Sequence, residues 1–255
     1  MPHVPIAASE KFKGKSGAGL YGDVIMELDW SVGEVLKTLS GEGLDENTLV
    51  IVTSDNGPWR NFGNWAGSSG GLREAKMTIF EGGQRVPCLM KWTGQIPEGS
   101  VCNKLSSSID LLPTLASICG LKMSKNKIDG LNIIDLLKGK PKVSPRKYFY
   151  YYYGVNSLKA VRRDDWKLIL PHPSVTYENN IPANDGNIGK TSQVNFPLAL
   201  YNLQEDPGER YDVQTRYPEI MLELQKVAAS AREDLGDDLT DRKGKNLRPA
   251  GMINN

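Results

Sequence analysis

The chain has 255 residues, of which 39% are hydrophobic and 24% are charged, values typical of a globular protein with a substantial core. Because 31 basic residues balance 30 acidic ones and no nucleic-acid motif is present, we expect no nucleic-acid partner. No hydrophobic run approaches the ~20 residues that cross a bilayer, so we expect no membrane partner either.

The amino-terminal part of the chain begins with an extended segment, MPHVP, because each proline restricts itself and its predecessor. His3 lies between the prolines; taken alone, it is an ordinary histidine. The first eight residues lack the basic segment and long apolar stretch of a signal peptide. Residues 19–39 carry apolar side chains at helical spacing and predict an amphipathic helix. Asp23 and Glu27 could pair at a metal on this helix, but we favour a solvated helix face.

A short apolar run, LVIV at residues 49–52, predicts a strand that is buried on both faces of a parallel sheet. It ends in the turn-forming sequence TSDNGP, which delivers Asp55 and Asn56 side by side. The carboxyl ends of strands are where ligands bind in open α/β sheets. The two side chains offer hard oxygens, which suit Ca²⁺ or Mg²⁺. In isolation, Asp-Asn-Gly is more often a simple turn.

A glycine-rich segment follows at residues 63–83, with Lys76 between two glycine clusters. Lys76 lies 20 residues after Asn56. Glycine lets the backbone approach a ligand closely, and backbone N–H groups can then line an anion site. The segment is therefore a candidate anion-binding loop.

The chain then predicts a buried strand at residues 86–92 and a helix at residues 108–118, with Pro113 in its first turn. A short helix is predicted at residues 133–137, and a Pro- and Lys-rich surface linker at residues 139–146. The three cysteines are too few and too widely spaced for a zinc site or a disulfide framework. We expect Cys88 and Cys119, which have apolar neighbours, to be buried thiols.

The pattern changes after residue 147. Short strands are predicted at residues 148–153, 158–163, 166–170 and 199–203. The first three are consistent with an antiparallel meander, in which Asp164-Asp165 forms a turn. The aromatic run YFYYYY at residues 148–153 is more typical of sheet packing than of a carbohydrate platform, and both interpretations stay open.

Residues 171–197 are polar and predict a long irregular loop that could approach substrate, and residues 218–231 predict an amphipathic helix opened by Pro218. Together the patterns predict an α/β domain over residues 1–145 and a small antiparallel-sheet subdomain with a helix over residues 146–235. A charged, poorly ordered tail is expected over residues 236–255.

Three motifs in this order, TSDNGP, GSSGGLREAKMTIFEGGQRVPCLMKWTGQIP and DLLPTLASICG, resemble the type I sulfatases, the arylsulfatase-like branch of the alkaline-phosphatase superfamily. The resemblance extends back to MPHVP and forward to LYNLQEDPGERYDV, so it covers almost the whole chain. It implies part of an alkaline-phosphatase-like sheet sandwiched by helices, followed by a small α+β subdomain with a four-stranded antiparallel sheet and a helix.

The resemblance also implies roles for four residues. Asp55 and Asn56 correspond to the later pair of Ca²⁺ ligands, with Mg²⁺ as the alternative cation. Lys76 corresponds to the residue that binds the sulfate and the leaving oxygen. His3, in its Pro-His-x-Pro context, corresponds to the histidine that contacts the sulfate ester and is the candidate proton donor. The implied substrate is an aryl sulfate or, preferably, a sulfated sugar.

Other parts of the family pattern do not occur in these residues. None of the cysteines, nor Ser144, begins the C/S-x-P/A-x-R motif from which sulfatases make their formylglycine nucleophile. We therefore expect the carboxyl-terminal part of a sulfatase, inactive by itself, with formylglycine in a missing amino-terminal part. Truncation, a gene-model error and a natural inactive protein stay open. The complete protein is expected to be periplasmic or secreted.

One residue departs from the family pattern: Trp65, in GNWAG, stands where relatives commonly carry histidine. Two alternatives to a sulfatase also stay open. The first is a phosphate or phosphonate monoester hydrolase of the same superfamily. The second is a non-catalytic glycan-binding remnant in which the tyrosines of residues 148–153 hold the glycan.

Overall fold

The computed structural model describes residues 2–123, 125–140 and 144–247. The chain divides into two compact units, each assembled from separate stretches of sequence. The first unit comprises Met1–Ser68, Arg85–Lys147 and Asn180–Lys190, and the second comprises Ser69–Gln84, Tyr148–Asn179 and Thr191–Asn255. Within the described ranges, no helix has both the length and the apolar content that a membrane span requires.

Helices and strands alternate in the first half, and strands dominate the second. The helices are α1 (Gly19–Gly41), α2 (Glu81–Gln84), α3 (Leu111–Ile118), α4 (Ile134–Leu137) and α5 (Pro218–Leu235). The strands are β1 (Val50–Thr53), β2 (Cys88–Lys91), β3 (Phe149–Tyr153), β4 (Ser157–Arg163), β5 (Trp166–Ile169), β6 (His172–Thr176), β7 (Ser192–Phe196), β8 (Ala199–Asn202), β9 (Gly236–Asp237) and β10 (Arg242–Lys243). Short 3₁₀ turns span Asp45–Asn47, Arg60–Trp65, Ser108–Asp110 and Asp238–Thr240.

Helix α1 forms where the apolar spacing predicted it, but Ile25, Leu28 and Val35 of that pattern are exposed, and Asp23 is not part of a solvated face. Asp23 is buried and accepts hydrogen bonds from the backbone N–H of Gly14 at 2.8 Å and of Ser16 at 2.9 Å. The Ser16 hydroxyl donates a third bond, at 2.7 Å, and these contacts lower the pKa of Asp23. Glu27 accepts a bond from the backbone N–H of Ser9. Asp23 thus holds the loop that precedes α1 instead of facing solvent, and the half-buried Glu27 bonds to the same segment.

Strand β1 forms where expected, but neither the parallel pairing nor its burial was predicted correctly. It pairs antiparallel with β2, with Val50 opposite Lys91 and Thr53 opposite Cys88. Within the described part of the chain these two strands form a sheet of their own, so each keeps an open edge and β1 is only half-buried. An apolar run indicates that a segment favours burial, but it does not indicate which neighbouring segment covers it.

The cysteines are a second correction, since Cys88, Cys102 and Cys119 are all exposed. Cys88 opens β2, three of whose four residues are exposed. Cys119 follows the last turn of α3. Apolar sequence neighbours therefore did not indicate a buried environment at these positions.

Helix α3 is fixed by a buried ion pair that the sequence did not reveal. Ser107 and Asp110 form a capping box, and the Asp110 carboxylate also accepts a hydrogen bond from the backbone N–H of Leu131 at 2.8 Å. Asp110 is fully buried and pairs with the guanidinium of Arg146, which is 7% exposed. Arg146 also donates to the Asp129 carbonyl at 3.2 Å. The surface-linker prediction is therefore wrong at Arg146; residues 141–143 of that linker lie outside the described residues.

The second unit is built on the sheet β3-β4-β5-β8, which is antiparallel throughout and confirms the predicted meander and fourth strand. The sheet contributes to two apolar clusters. Helix α5 packs into one of them through Leu224, Val227 and Ala231, and Ile79 and Phe80 belong to the other. The aromatic run contributes to both clusters, with its central tyrosine buried. This burial confirms the packing interpretation of the run.

Two segments hold more structure than the sequence suggested. Residues 171–197 are not a long irregular loop, because β6 and β7 pair antiparallel between His172 and Phe196 at one end and Thr176 and Ser192 at the other. The polar, proline-containing sequence HPSVT hides this strand from an apolar pattern. Beyond α5, β9 pairs with β10 where we expected little order. Residues 248–255 of the predicted tail lie outside the described residues.

Removing the charge of Asp110 tests the ion pair. Asp110→Asn removes the buried carboxylate that pairs with the guanidinium of Arg146, so we expect the free energy of unfolding to fall by about 3–5 kcal/mol. Asp135→Asn, on an exposed carboxylate of α4, is the matched control and should cost less than about 0.5 kcal/mol. Urea denaturation followed by circular dichroism measures both variants. Equal losses in the two would contradict a structural role for the pair.

Candidate functional site

Asp55 and Asn56 lie in the turn that follows β1, as the sequence predicted. The turn is tied down at both ends: the hydroxyl of Thr53 donates to the Pro87 carbonyl at 3.0 Å, and the hydroxyl of Ser54 donates to the Asn56 carbonyl at 3.0 Å. The Asp55 side chain is exposed and Asn56 is half-buried. The turn therefore presents a carboxylate to solvent on a fixed backbone.

His3 is brought to the segment directly after this turn, although more than 50 residues separate them in sequence. Its ring lies 5.4 Å from the ring of Trp59, at an interplanar angle of 52°, and Trp59 in turn contacts Phe62 edge-on at 4.9 Å. Trp59 is four residues beyond Asp55. The structure thus places His3 beside the loop that Asp55 and Asn56 begin, in the first unit.

The turn Arg60–Trp65 packs against the connection between β6 and β7. Asn64 and Asp185 exchange two hydrogen bonds of 2.9 Å, side chain to side chain and backbone to side chain. The amide of Asn61 donates to the Gly189 carbonyl at 2.9 Å. Trp65 packs on Gly186 so closely that a Cβ there would lie 2.7 Å from its ring. Trp65 is therefore half-buried against a segment about 120 residues away in the chain, a contact that no local pattern predicts.

Lys76 lies in a loop whose backbone is strained on both sides of it. Glu74 and Met77 adopt left-handed φ values of 60° and 71°, which cost roughly 1–3 kcal/mol each for residues other than glycine. The carbonyl of Lys76 accepts a hydrogen bond from the hydroxyl of Tyr177 at 2.9 Å. Lys76 is half-buried and belongs to the second unit, whereas His3 and Asp55 belong to the first.

A buried cluster of charged side chains contacts the carboxyl-terminal part of this loop. The ammonium of Lys167 is inaccessible to solvent and contacts the Ile79 carbonyl at 2.8 Å, Glu81 at 3.0 Å and Glu209 at 2.9 Å. Burial alone would lower the pKa of Lys167, but the two carboxylates outweigh it and raise that pKa. Burial raises the pKa of Glu209, and the neighbouring ammonium opposes this. Sequence reasoning missed all of these residues, because buried and surface charges look alike in a pattern.

The donor set for a cation is partial. The Asp55 carboxylate and the Asn56 amide have the hard oxygens that Ca²⁺ prefers, and both fit such a site as two of its ligands. Among the described residues, no three His, Cys, Asp or Glu side chains converge on a point where a metal could bind. Because Ca²⁺ takes about 6–8 oxygens, the remaining ligands must come from other groups.

Gly63 provides a test of the contact between the turn Arg60–Trp65 and the connection between β6 and β7. Its φ of 55° is left-handed, and an added Cβ would overlap the Ala183 carbonyl oxygen and the Asn184 side chain. We expect Gly63→Ala to lower the free energy of unfolding by roughly 2–5 kcal/mol, from strain and overpacking together. Gly43→Ala, at a φ of 66° with open space around it, isolates the backbone strain and should cost about 1–2 kcal/mol. Chemical denaturation measures the free energy of unfolding of both variants. A smaller loss of stability for Gly63→Ala than for Gly43→Ala would mean that this contact does not form.

Comparisons with known proteins agree on one family. The family model "Sulfatase" matches residues 1–121, and the model "C-terminal region of aryl-sulfatase" matches residues 144–251. Human arylsulfatase A is 36% identical over 233 residues, covering 88% of this chain and 46% of the relative. N-acetylgalactosamine-6-sulfatase of Mus musculus is 35% identical over 243 residues, covering 91% of this chain and 46% of the relative.

A solved structure shares the fold. The PsFucS1 sulfatase from Pseudoalteromonas sp. superposes with a TM-score of 0.77 at 27% identity, covering 89% of this chain and 45% of the solved one. The chain thus spans less than half the length of these relatives. Two successive family models, relatives at 35–36% identity and a shared mixed α/β fold lead to one conclusion. The chain belongs to the type I sulfatases of the alkaline-phosphatase superfamily.

Proposed function

We propose that the complete protein hydrolyses sulfate monoesters and that this chain supplies part of its active site. The observation that carries the proposal is the turn after β1, where an exposed Asp55 and an adjacent Asn56 are fixed at the end of a strand in a member of the sulfatase family. Two features support it: His3 packs against Trp59 in the same unit, and Lys76 is held in a strained loop.

Each residue has a chemical role in this proposal. Asp55 and Asn56 contribute oxygens to a Ca²⁺ site, with Mg²⁺ as the alternative; the bound cation would neutralise charge on the ester. The Lys76 ammonium binds a sulfate oxygen and the oxygen of the leaving group. His3 donates the proton that the leaving oxygen needs when its bond to sulfur breaks. The nucleophile, which we expect to be formylglycine, comes from outside these 255 residues.

We propose a sulfated sugar as the substrate, with an aryl sulfate as the alternative. One relative is named for N-acetylgalactosamine 6-sulfate and another for aryl sulfates, so the names support both classes. We further propose that the complete protein works in the periplasm or outside the cell, as its family commonly does.

Substitution of Lys76 tests the assignment directly. In the complete protein, Lys76→Ala should lower kcat for p-nitrophenyl sulfate by about 10²–10³, because a donor to the developing charge is lost. Lys226→Ala, on an exposed lysine of α5, is the matched control and should leave kcat unchanged. Full activity of Lys76→Ala would reject its role. Turnover of p-nitrophenyl phosphate that exceeds turnover of the sulfate would replace the proposal with the phosphate or phosphonate hydrolase.

Metal removal tests the other half of the site. We expect a chelator to abolish sulfate ester hydrolysis and added Ca²⁺ to restore it. Asp55→Asn should need at least about tenfold more Ca²⁺ for half-maximal activity, because a charged ligand becomes a neutral one. Asp135→Asn is the control for a lost surface carboxylate. An unchanged Ca²⁺ requirement in Asp55→Asn would contradict its role as a ligand.

A further inference from the structure

The segment that carries Lys76, residues 73–83, is here called the lysine loop, and it is anchored on its amino-terminal side by Glu74. Glu74 is 1% exposed, and its two carboxylate oxygens have different partners. One accepts from the Thr176 hydroxyl at 2.5 Å, and the other accepts from the backbone N–H of Tyr177 at 2.7 Å. A buried carboxylate thus fixes the loop to the end of β6.

Tyr177 makes a second contact with the same loop. Its hydroxyl donates to the carbonyl of Lys76 at 2.9 Å, and the residue is 5% exposed. One residue therefore contacts the loop at two points, through its backbone at Glu74 and through its side chain at Lys76. These points bracket the backbone from which the Lys76 ammonium extends.

The carboxyl-terminal side of the loop is held separately. Lys167 donates to the Ile79 carbonyl, and Glu209 accepts from the backbone N–H of Glu81 at 2.6 Å. The backbone N–H of Gly82 donates to the Arg73 carbonyl at 2.7 Å and closes the loop on itself. Between these anchors, the Tyr177 hydroxyl contacts the Lys76 carbonyl directly.

The loop conformation needs these contacts, because left-handed residues such as Glu74 and Met77 persist only where the surroundings impose the conformation. Such strain is characteristic of sites where a side chain is held ready for a ligand. A preorganised ammonium avoids the entropic cost of being ordered when the anion binds.

We propose that Tyr177 and Glu74 are positioning residues for Lys76, and that the Tyr177 hydroxyl fixes the backbone that aims the ammonium at the sulfate ester. This inference rests on the proposed role of Lys76 in sulfate binding. Neither Tyr177 nor Glu74 needs to touch the substrate. Their effect is exerted through the Lys76 carbonyl and the strained backbone beside it.

A double-mutant cycle in the complete protein tests this. Tyr177→Phe removes only the hydroxyl, and we expect it to lower kcat/KM for p-nitrophenyl sulfate by about 3–10-fold, the worth of one hydrogen bond. In the Lys76→Ala background the same change should have no effect, because the ammonium that it positions is gone. Tyr153→Phe, on a partly exposed tyrosine of β3, is the matched control and should be neutral.

A second readout does not depend on activity. Amide hydrogen exchange over residues 74–79 should be faster in Tyr177→Phe, and in Glu74→Gln, than in the wild type or Tyr153→Phe. Wild-type activity of Lys76→Ala would reject the proposed role of Lys76, on which this inference rests. If Lys76→Ala is impaired but Tyr177→Phe costs the same factor in both backgrounds, or nothing in either, the positioning role is overturned while the proposed function stands.

Discussion

The second unit depends on the pairing of one buried ammonium. Lys167 has no access to solvent, and an ion removed from water costs several kcal/mol unless partners replace its hydration. Glu81, Glu209 and the Ile79 carbonyl provide that replacement, and Arg162 contacts the other carboxylate oxygen of Glu81 at 3.3 Å. Lys167 lies on β5, Glu81 on the lysine loop and Glu209 on the segment after β8, so these ion pairs join three separate segments of the second unit.

The first unit uses the same principle with different groups. Asp110 and Arg146 form its buried pair, and Asp23 gathers the loop before α1 through three hydrogen bonds. Its apolar residues are less well covered than those of the second unit: Leu89 of β2 is 64% exposed and Leu112 of α3 is 61% exposed. Polar contacts therefore fix much of the backbone in the unit that holds Asp55. In the turn at Asp55, these contacts are the hydrogen bonds of side-chain hydroxyls.

Much of the fold could be predicted from local periodicity, since the meander and α5 follow from alternation and helical spacing. Local periodicity could not predict three other features, because they depend on contacts between distant segments. These are the pairing of β1 with β2, the strand in HPSVT and the hydrogen bonds between Asn64 and Asp185. In the site, the assignments of the cation pair, His3 and Lys76 came from family resemblance and stay predictions. The structure added the buried charges beneath Lys76, which a sequence cannot distinguish from surface charges.

The central proposal is that Lys76 binds the sulfate ester and that Asp55 and Asn56 hold its cation. The most direct measurement is a crystal structure of the complete protein grown with Ca²⁺ and inorganic sulfate. The account predicts a sulfate within about 3 Å of the Lys76 ammonium, and Asp55 and Asn56 oxygens about 2.3–2.6 Å from a Ca²⁺ that also contacts that sulfate. A sulfate held by other residues, with the Lys76 ammonium directed away from the cation, would contradict it.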